Sequence, residues 1–147
     1  MYAIALTLHA LAATVWTGGH LVLVSVVLPD VLRGRDVARL RQFEAGYERI
    51  GMPALIVQVA TGAWLAHQRV PGVANWFDLS NPVARLIAIK LALLLITVAL
   101  AAHARLRLLP ALSERQLGAL AWHIVAVTLA SVGFVVVGVA FRTGGLG

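Results

Sequence analysis

Four long apolar stretches separated by short polar segments make up the chain. They cover about residues 2–32, 51–68, 83–109 and 114–141. A helix rises about 1.5 Å per residue, so each stretch is long enough to cross the hydrocarbon core of a bilayer, which is about 30 Å thick. The pattern therefore predicts an all-α integral membrane protein, folded as one domain over residues 1–147 into an antiparallel bundle of four transmembrane helices.

The polar segments predict where these helices end. Pro29 indicates an end or a kink in the first helix, because proline cannot continue the backbone hydrogen bonding. Residues 33–50 are predicted to be the first loop, and residues 70–82, rich in Pro, Gly, Asn and Asp, the second. Within the first loop, large apolar side chains recur at helical spacing among charged residues: Leu40, Phe43 and Tyr47. This spacing favours a short amphipathic helix at the membrane surface that runs into the second span.

Composition supports the membrane assignment. Of the 147 residues, 61% are hydrophobic and 12% are charged, whereas a soluble domain carries about 25% charged residues. The chain has no cysteine, which excludes disulfides, thiolate metal sites and cysteine nucleophiles. The side chains left to bind a soft or borderline metal belong to five histidines and two methionines.

The distribution of arginine predicts the orientation in the membrane. The first and third loops carry eight: Arg33, Arg35, Arg39, Arg41, Arg49, Arg105, Arg107 and Arg115. The opposite side carries three: Arg69, Arg85 and Arg142. Because basic loops stay in the cytoplasm, both termini are predicted to be extracytoplasmic. We expect a multi-pass protein of the bacterial inner (plasma) membrane, whose net charge of +6 reflects topology and lipid head groups rather than a nucleic-acid partner.

Residues 9–20, HALAATVWTGGH, are the strongest functional signal in the chain. His9 and His20 are eleven residues apart, which places them on one helix face about 16 Å from each other. Trp16 lies on the same face, and Gly18 and Gly19 allow a close approach. An ionisable side chain inside a spanning helix is a functional hypothesis by default.

Depth along the helices sorts the ionisable residues into two layers. His9, Lys90 and His67 are predicted in the outer leaflet, and His20, His103 and His123 in the inner leaflet, at about 1.5 Å of depth per residue. Purely structural roles are the alternative. A histidine can hydrogen-bond a neighbour, a lysine can extend to the interface, and the glycine pair can allow helices to pack closely.

Two layers of imidazoles suit a haem b redox protein. The outer haem would use His9, with Lys90 as second ligand or propionate partner, and an inner site would draw on His20, His103 and His123. Trp16, Gly18 and Gly19 would line the shared helix. Electrons would then cross between a quinone and a redox partner protein, and the small-residue faces allow a homodimer. Copper is the alternative cofactor, with His9, His20 and His123 as its ligands.

These residues and the sequence around them resemble two known families. The run LHALAATVWTGGH, followed by Leu28-Pro29, resembles the first helix of the copper-resistance D (CopD) membrane domain. The same run, with YERIGMPALIVQVATGAWL and ARLIAIKLALLLITVALAAH, is similar to HemJ-type protoporphyrinogen oxidase. The first resemblance implies copper transport or resistance. The second implies haem b held by His9 with Lys90, and an oxidoreductase that acts on a reduced tetrapyrrole. Which resemblance holds decides whether the chain is an enzyme.

Overall fold

The computed structural model describes residues 1–110 and 112–145, and every regular element within them is a helix. Four helical stretches are long and apolar enough to cross a membrane: Tyr2–Gly34, Val37–Arg69, Pro82–Leu108 and Glu114–Thr143. We call them the first to fourth spans. The predicted class, an all-α membrane protein built as a four-helix bundle, is therefore confirmed.

The first span continues past Pro29. It consists of α1 (Tyr2–Val22), a π-helical turn (Leu23–Val27) and α2 (Leu28–Gly34). The proline lacks the N–H that a regular helix would need at that point, and the wide π turn before it absorbs the irregularity. Of the two predicted outcomes at Pro29, an end or a kink, the structure excludes the end, because the helix continues through the proline after an irregular π turn. The helix ends at Gly34, where the next residue, Arg35, turns the chain with a left-handed φ of 51°.

The first loop is much shorter than predicted. The second span is a single helix, α3 (Val37–Arg69), capped by the Asp36 carboxylate, which accepts a hydrogen bond from the Arg39 N–H at 2.9 Å. The amphipathic segment within residues 33–50 forms the first turns of this helix, as expected of a segment that runs into the second span. The turn itself therefore comprises little more than Arg35 and Asp36.

The second loop is held against the bundle by Trp76. This residue lies in a 3₁₀ turn (Val73–Phe77), is buried, and donates a hydrogen bond from Nε1 to the Val70 carbonyl at 2.9 Å. After it, the Asp78 carboxylate accepts hydrogen bonds from the Ser80 hydroxyl (2.6 Å) and the Ser80 N–H (3.0 Å), which hold the pKa of that carboxyl below its usual range. The third span then begins.

The last two helices form a hairpin. The third span comprises α4 (Pro82–His103) and a π turn (Ala104–Leu108). A 3₁₀ turn (Glu114–Gln116) leads into α5 (Leu117–Thr143), which completes the fourth span. Helix α1 packs against α3 and α5, and α4 packs against α5, so the first and fourth spans are the inner pair of the bundle.

Apolar clusters close both ends of the bundle. At the end with the first and third loops, the buried cluster contains Leu23, Val27, Leu28, Val31, Leu40, Leu112, Leu117, Leu120 and Ile124. At the other end, smaller clusters contain Val70, Trp76, Ile87, Leu86, Val137 and Ala140. The polar side chains that matter for function lie between or beside these clusters.

Candidate metal-binding sites

His9 is held against the second span. Its Nδ1 lies 3.0 Å from the Gln58 carbonyl and 3.0 Å from Thr61 Oγ1. A carbonyl only accepts, so Nδ1 carries the proton and donates, which leaves Nε2 with a free lone pair. Gly62 makes room for the ring, because a Cβ built there would lie 3.0 Å from His9 Cε1. His9 is therefore fixed in orientation by α3, with one nitrogen left for chemistry.

Lys90 belongs to the other half of the bundle. Its Nζ lies 5.4 Å from the centre of the Phe141 ring and 3.6 Å from a Cβ built on Gly138, so the ammonium rests against α5. Within the described residues no hydrogen bond joins Lys90 to His9. His67, the third residue predicted in the outer layer, is exposed near the end of α3.

His20 lies in an aromatic cluster with Trp16 and Tyr47. His20 Nδ1 donates to the Trp16 carbonyl at 2.9 Å, and the Tyr47 hydroxyl donates to the same carbonyl at 2.8 Å. The His20 and Trp16 ring centres are 4.6 Å apart, and the Tyr47 ring meets His20 edge-on at 5.6 Å. His20 is buried. The role of Tyr47 in this cluster was not predicted, because its spacing indicated only an amphipathic surface helix.

The glycine pair does not provide the space predicted for a haem macrocycle. A Cβ built on Gly19 would overlap three atoms of the Tyr47 ring, so this glycine accommodates a side chain of the second span. Gly18 faces open space, with nothing within 4 Å of a built Cβ. Gly62 likewise accommodates His9. Gly19 and Gly62 therefore serve the packing of α1 against α3, and because protein side chains fill the space beside them, they do not fit a haem there.

His103 and His123 form a direct imidazole pair. His103 Nδ1 lies 2.8 Å from His123 Nε2, and the two rings are stacked with their centres 4.8 Å apart. His123 Nδ1 lies 2.9 Å from the Ala119 carbonyl, so it must donate there, and His123 Nε2 must then accept from His103. The structure thus joins two of the three histidines predicted in the inner layer. His20 lies apart from them, because its face of α1 is directed at α3.

Among residues 1–110 and 112–145, no group of three or more His, Asp or Glu could hold a metal ion. The His103–His123 pair is consequently the densest set of nitrogen ligands in the part of the chain that the structure describes. It joins α4 to α5 near the arginine-rich end of the bundle, and His103 is exposed. A site of this kind defines a four-span membrane protein able to offer two imidazoles to a metal.

Comparison with models of protein families assigns the chain to one family. The sequence model of the family described as copper resistance protein D (CopD) matches residues 41–141. Because this is more than half of the 147 residues, the chain belongs to the CopD family. No curated protein and no solved structure matched. The matched segment contains Lys90, His103 and His123, whereas His9 and His20 precede it. The family match supports copper and gives no support to haem b, electron transport or a HemJ-like oxidase.

Proposed function

We propose that this protein handles copper ions in the membrane and that His103 and His123 bind them. Two observations support the proposal: the membership of the CopD family, and the imidazole pair inside the segment that the family match covers. Imidazole is a good copper ligand. The predicted orientation places the pair toward the cytoplasmic end of the bundle.

The spacing of the pair is the observation that carries the proposal. The two facing nitrogens are 2.8 Å apart. With metal–imidazole bonds of about 2.0 Å, that separation corresponds to an N–metal–N angle of about 90°. Neighbouring ligands of a square-planar Cu(II) ion subtend this angle. Water can complete the coordination, because His103 is exposed. Because the two nitrogens point at each other in the hydrogen bond, the rings must turn to direct both lone pairs at one ion.

Each of the two facing nitrogens can present a lone pair to a metal. The Ala119 carbonyl fixes the His123 tautomer and leaves Nε2 without a proton, which is the usual arrangement around a metal-bound histidine. His103 can carry its proton on the exposed Nε2 instead of Nδ1, which frees Nδ1 for the metal. Both facing nitrogens then carry lone pairs that can bind copper.

Copper binding to the purified protein tests the proposal. His103→Ala and His123→Ala should each lower the affinity for Cu(II) by about 10-fold or more, since each removes one of two protein ligands. His67→Ala is the matched control, because it removes another exposed histidine at the opposite end of a span. Unchanged binding in both His103→Ala and His123→Ala, with a loss in His67→Ala, would reject the assignment.

A further inference from the structure

A groove of about 280 Å³ opens between α4 and α5 at the end of the bundle that carries the second loop. The residues that line it include Pro82, Arg85, Leu86, Ile89, Phe141 and Gly144. On each helix they recur three or four positions apart, so they share one helix face. The groove therefore follows the contact between the two helices, at the opposite end from the His103–His123 pair.

The groove is basic near the membrane boundary and apolar below it. The third span begins at Pro82, and Arg85 lies about 4.5 Å further along the helix axis. Leu86 and Ile89 line the groove beyond Arg85, toward the middle of the membrane. On α5, Phe141 lies about one turn deeper than Gly144, where the helix ends. A membrane lipid has the same order of groups, with its phosphate at the boundary and its acyl chains below.

No carboxylate neutralises Arg85 among the described residues. Its side chain is exposed, and the four ion pairs that the described residues form all lie at the other end of the bundle. The carboxylate of Asp78 is the acidic side chain of the second loop, and it is bonded to Ser80. The other five acidic side chains belong to the end with the first and third loops: Asp30, Asp36, Glu44, Glu48 and Glu114.

The backbone groups beside the groove already have partners. The Val83 N–H donates to Asn81 Oδ1 at 2.9 Å. The N–H groups of Gly144 and Gly145 both donate to the Ala140 carbonyl, at 3.0 and 3.1 Å. The guanidinium of Arg85 is thus the charged group that the groove offers to a ligand. Lys90 adds a second positive charge nearby, because its Nζ lies 5.4 Å from the centre of the Phe141 ring.

We propose that this groove binds an anionic phospholipid of the surrounding membrane. Its phosphate pairs with Arg85, since guanidinium matches phosphate in charge and geometry. One acyl chain then lies along Leu86, Ile89 and Phe141. A zwitterionic lipid also carries an ammonium group, for which the groove has no carboxylate, so a lipid with net negative charge is preferred. The site does not depend on copper, because it lies at the opposite end of α4 and α5 from the imidazole pair.

Photo-crosslinking with mass spectrometry tests the groove in liposomes. The probes are phosphatidylglycerol and phosphatidylcholine that carry the same diazirine near the head of one acyl chain. Phosphatidylglycerol should label Leu86, Ile89 and Phe141 severalfold more than phosphatidylcholine does. Arg85→Gln should lower that labelling about 5-fold, the effect of one basic residue beside an anionic head group. Arg142→Gln is the matched control and should change nothing, because Arg142 is exposed at the same end but does not line the groove.

Equal labelling of the wild-type protein by the two lipids would overturn the proposal, and this comparison requires no variant to fold. An equal loss in Arg85→Gln and Arg142→Gln would overturn it as well, because it would show only a general effect of surface charge. Excess inorganic phosphate, compared with sodium chloride of the same ionic strength, should not displace the lipid, since it has no acyl chain. Complete displacement by phosphate would show a site for the free anion and would also reject the lipid.

Discussion

Replacing Gly19 by alanine should destabilise the bundle, whereas the same change at Gly18 should not. A Cβ at position 19 overlaps the Tyr47 ring, but at position 18 it meets nothing within 4 Å. The Tyr47 ring cannot easily move aside. Gly51 lies against its other edge, so close that a Cβ built there would be 3.0 Å from the ring, and the Phe43 ring stacks on it with a centre distance of 6.0 Å. The two neighbouring glycines therefore form a matched pair of test positions.

The expected magnitude follows from three terms. Overpacking costs about 1–3 kcal/mol, and displacement of Tyr47 loses its hydrogen bond to the Trp16 carbonyl, worth about 0.5–1.5 kcal/mol. The gain in helix propensity from Gly to Ala offsets about 1 kcal/mol. Gly19→Ala should thus lose roughly 0.5–3.5 kcal/mol of unfolding free energy by the sum of these terms. Gly18→Ala should gain about 0.5–1 kcal/mol.

Reversible unfolding in mixed micelles, followed by circular dichroism as the denaturing detergent is increased, measures both variants. The destabilisation should largely disappear when Gly19→Ala is made in a Tyr47→Ala background, because the ring that it strikes is absent. Equal stability of Gly18→Ala and Gly19→Ala would refute the reasoning. So would a full cost of Gly19→Ala in the Tyr47→Ala background.

Two further predictions concern the second loop. Trp76→Phe should lose about 0.5–1.5 kcal/mol with its hydrogen bond to Val70, and Trp76→Ala about 3–5 kcal/mol with the packed ring; equal thermal unfolding of the two variants would contradict this. The Asp78 carboxyl has a lowered pKa, so its hydrogen bonds to Ser80 stabilise the folded loop fully above the ordinary carboxyl pKa of about 3.9 and are lost as the pH falls through the lowered value. Carboxyl-carbon NMR should show an acidic midpoint below that ordinary value, and a midpoint at or above it would show that the loop bonds are absent.

The spans could be predicted because apolar length alone determines whether a helix crosses a bilayer. The extent of the second helix could not be predicted in the same way. The spacing around Leu40 predicted an amphipathic helix that runs into the second span, but it did not show that the turn before this helix comprises little more than Arg35 and Asp36. The sequence left open whether Pro29 ends or kinks the first helix, because no sequence signal marks the π turn that lets the helix continue through it. The chain reverses at Arg35, a non-glycine residue in the left-handed region.

The depth of the site residues along their helices could be predicted, but the direction in which their side chains point could not. Counting residues brought His103 and His123 to one level, and the structure places them in contact. The same counting grouped His20 with them, although it faces α3 and packs on Trp16 and Tyr47. The rotation of each helix about its own axis depends on which side chains pack together, and here the Tyr47 ring packs into the space that Gly19 leaves.

The central claim is that His103 and His123 together bind copper. Electron paramagnetic resonance of the protein loaded with one equivalent of Cu(II) tests it most directly, because hyperfine coupling counts the nitrogens bound to the ion. The wild-type protein should show two imidazole nitrogens, and His103→Ala and His123→Ala one each. A spectrum that is identical in the wild-type protein and both variants would contradict the assignment.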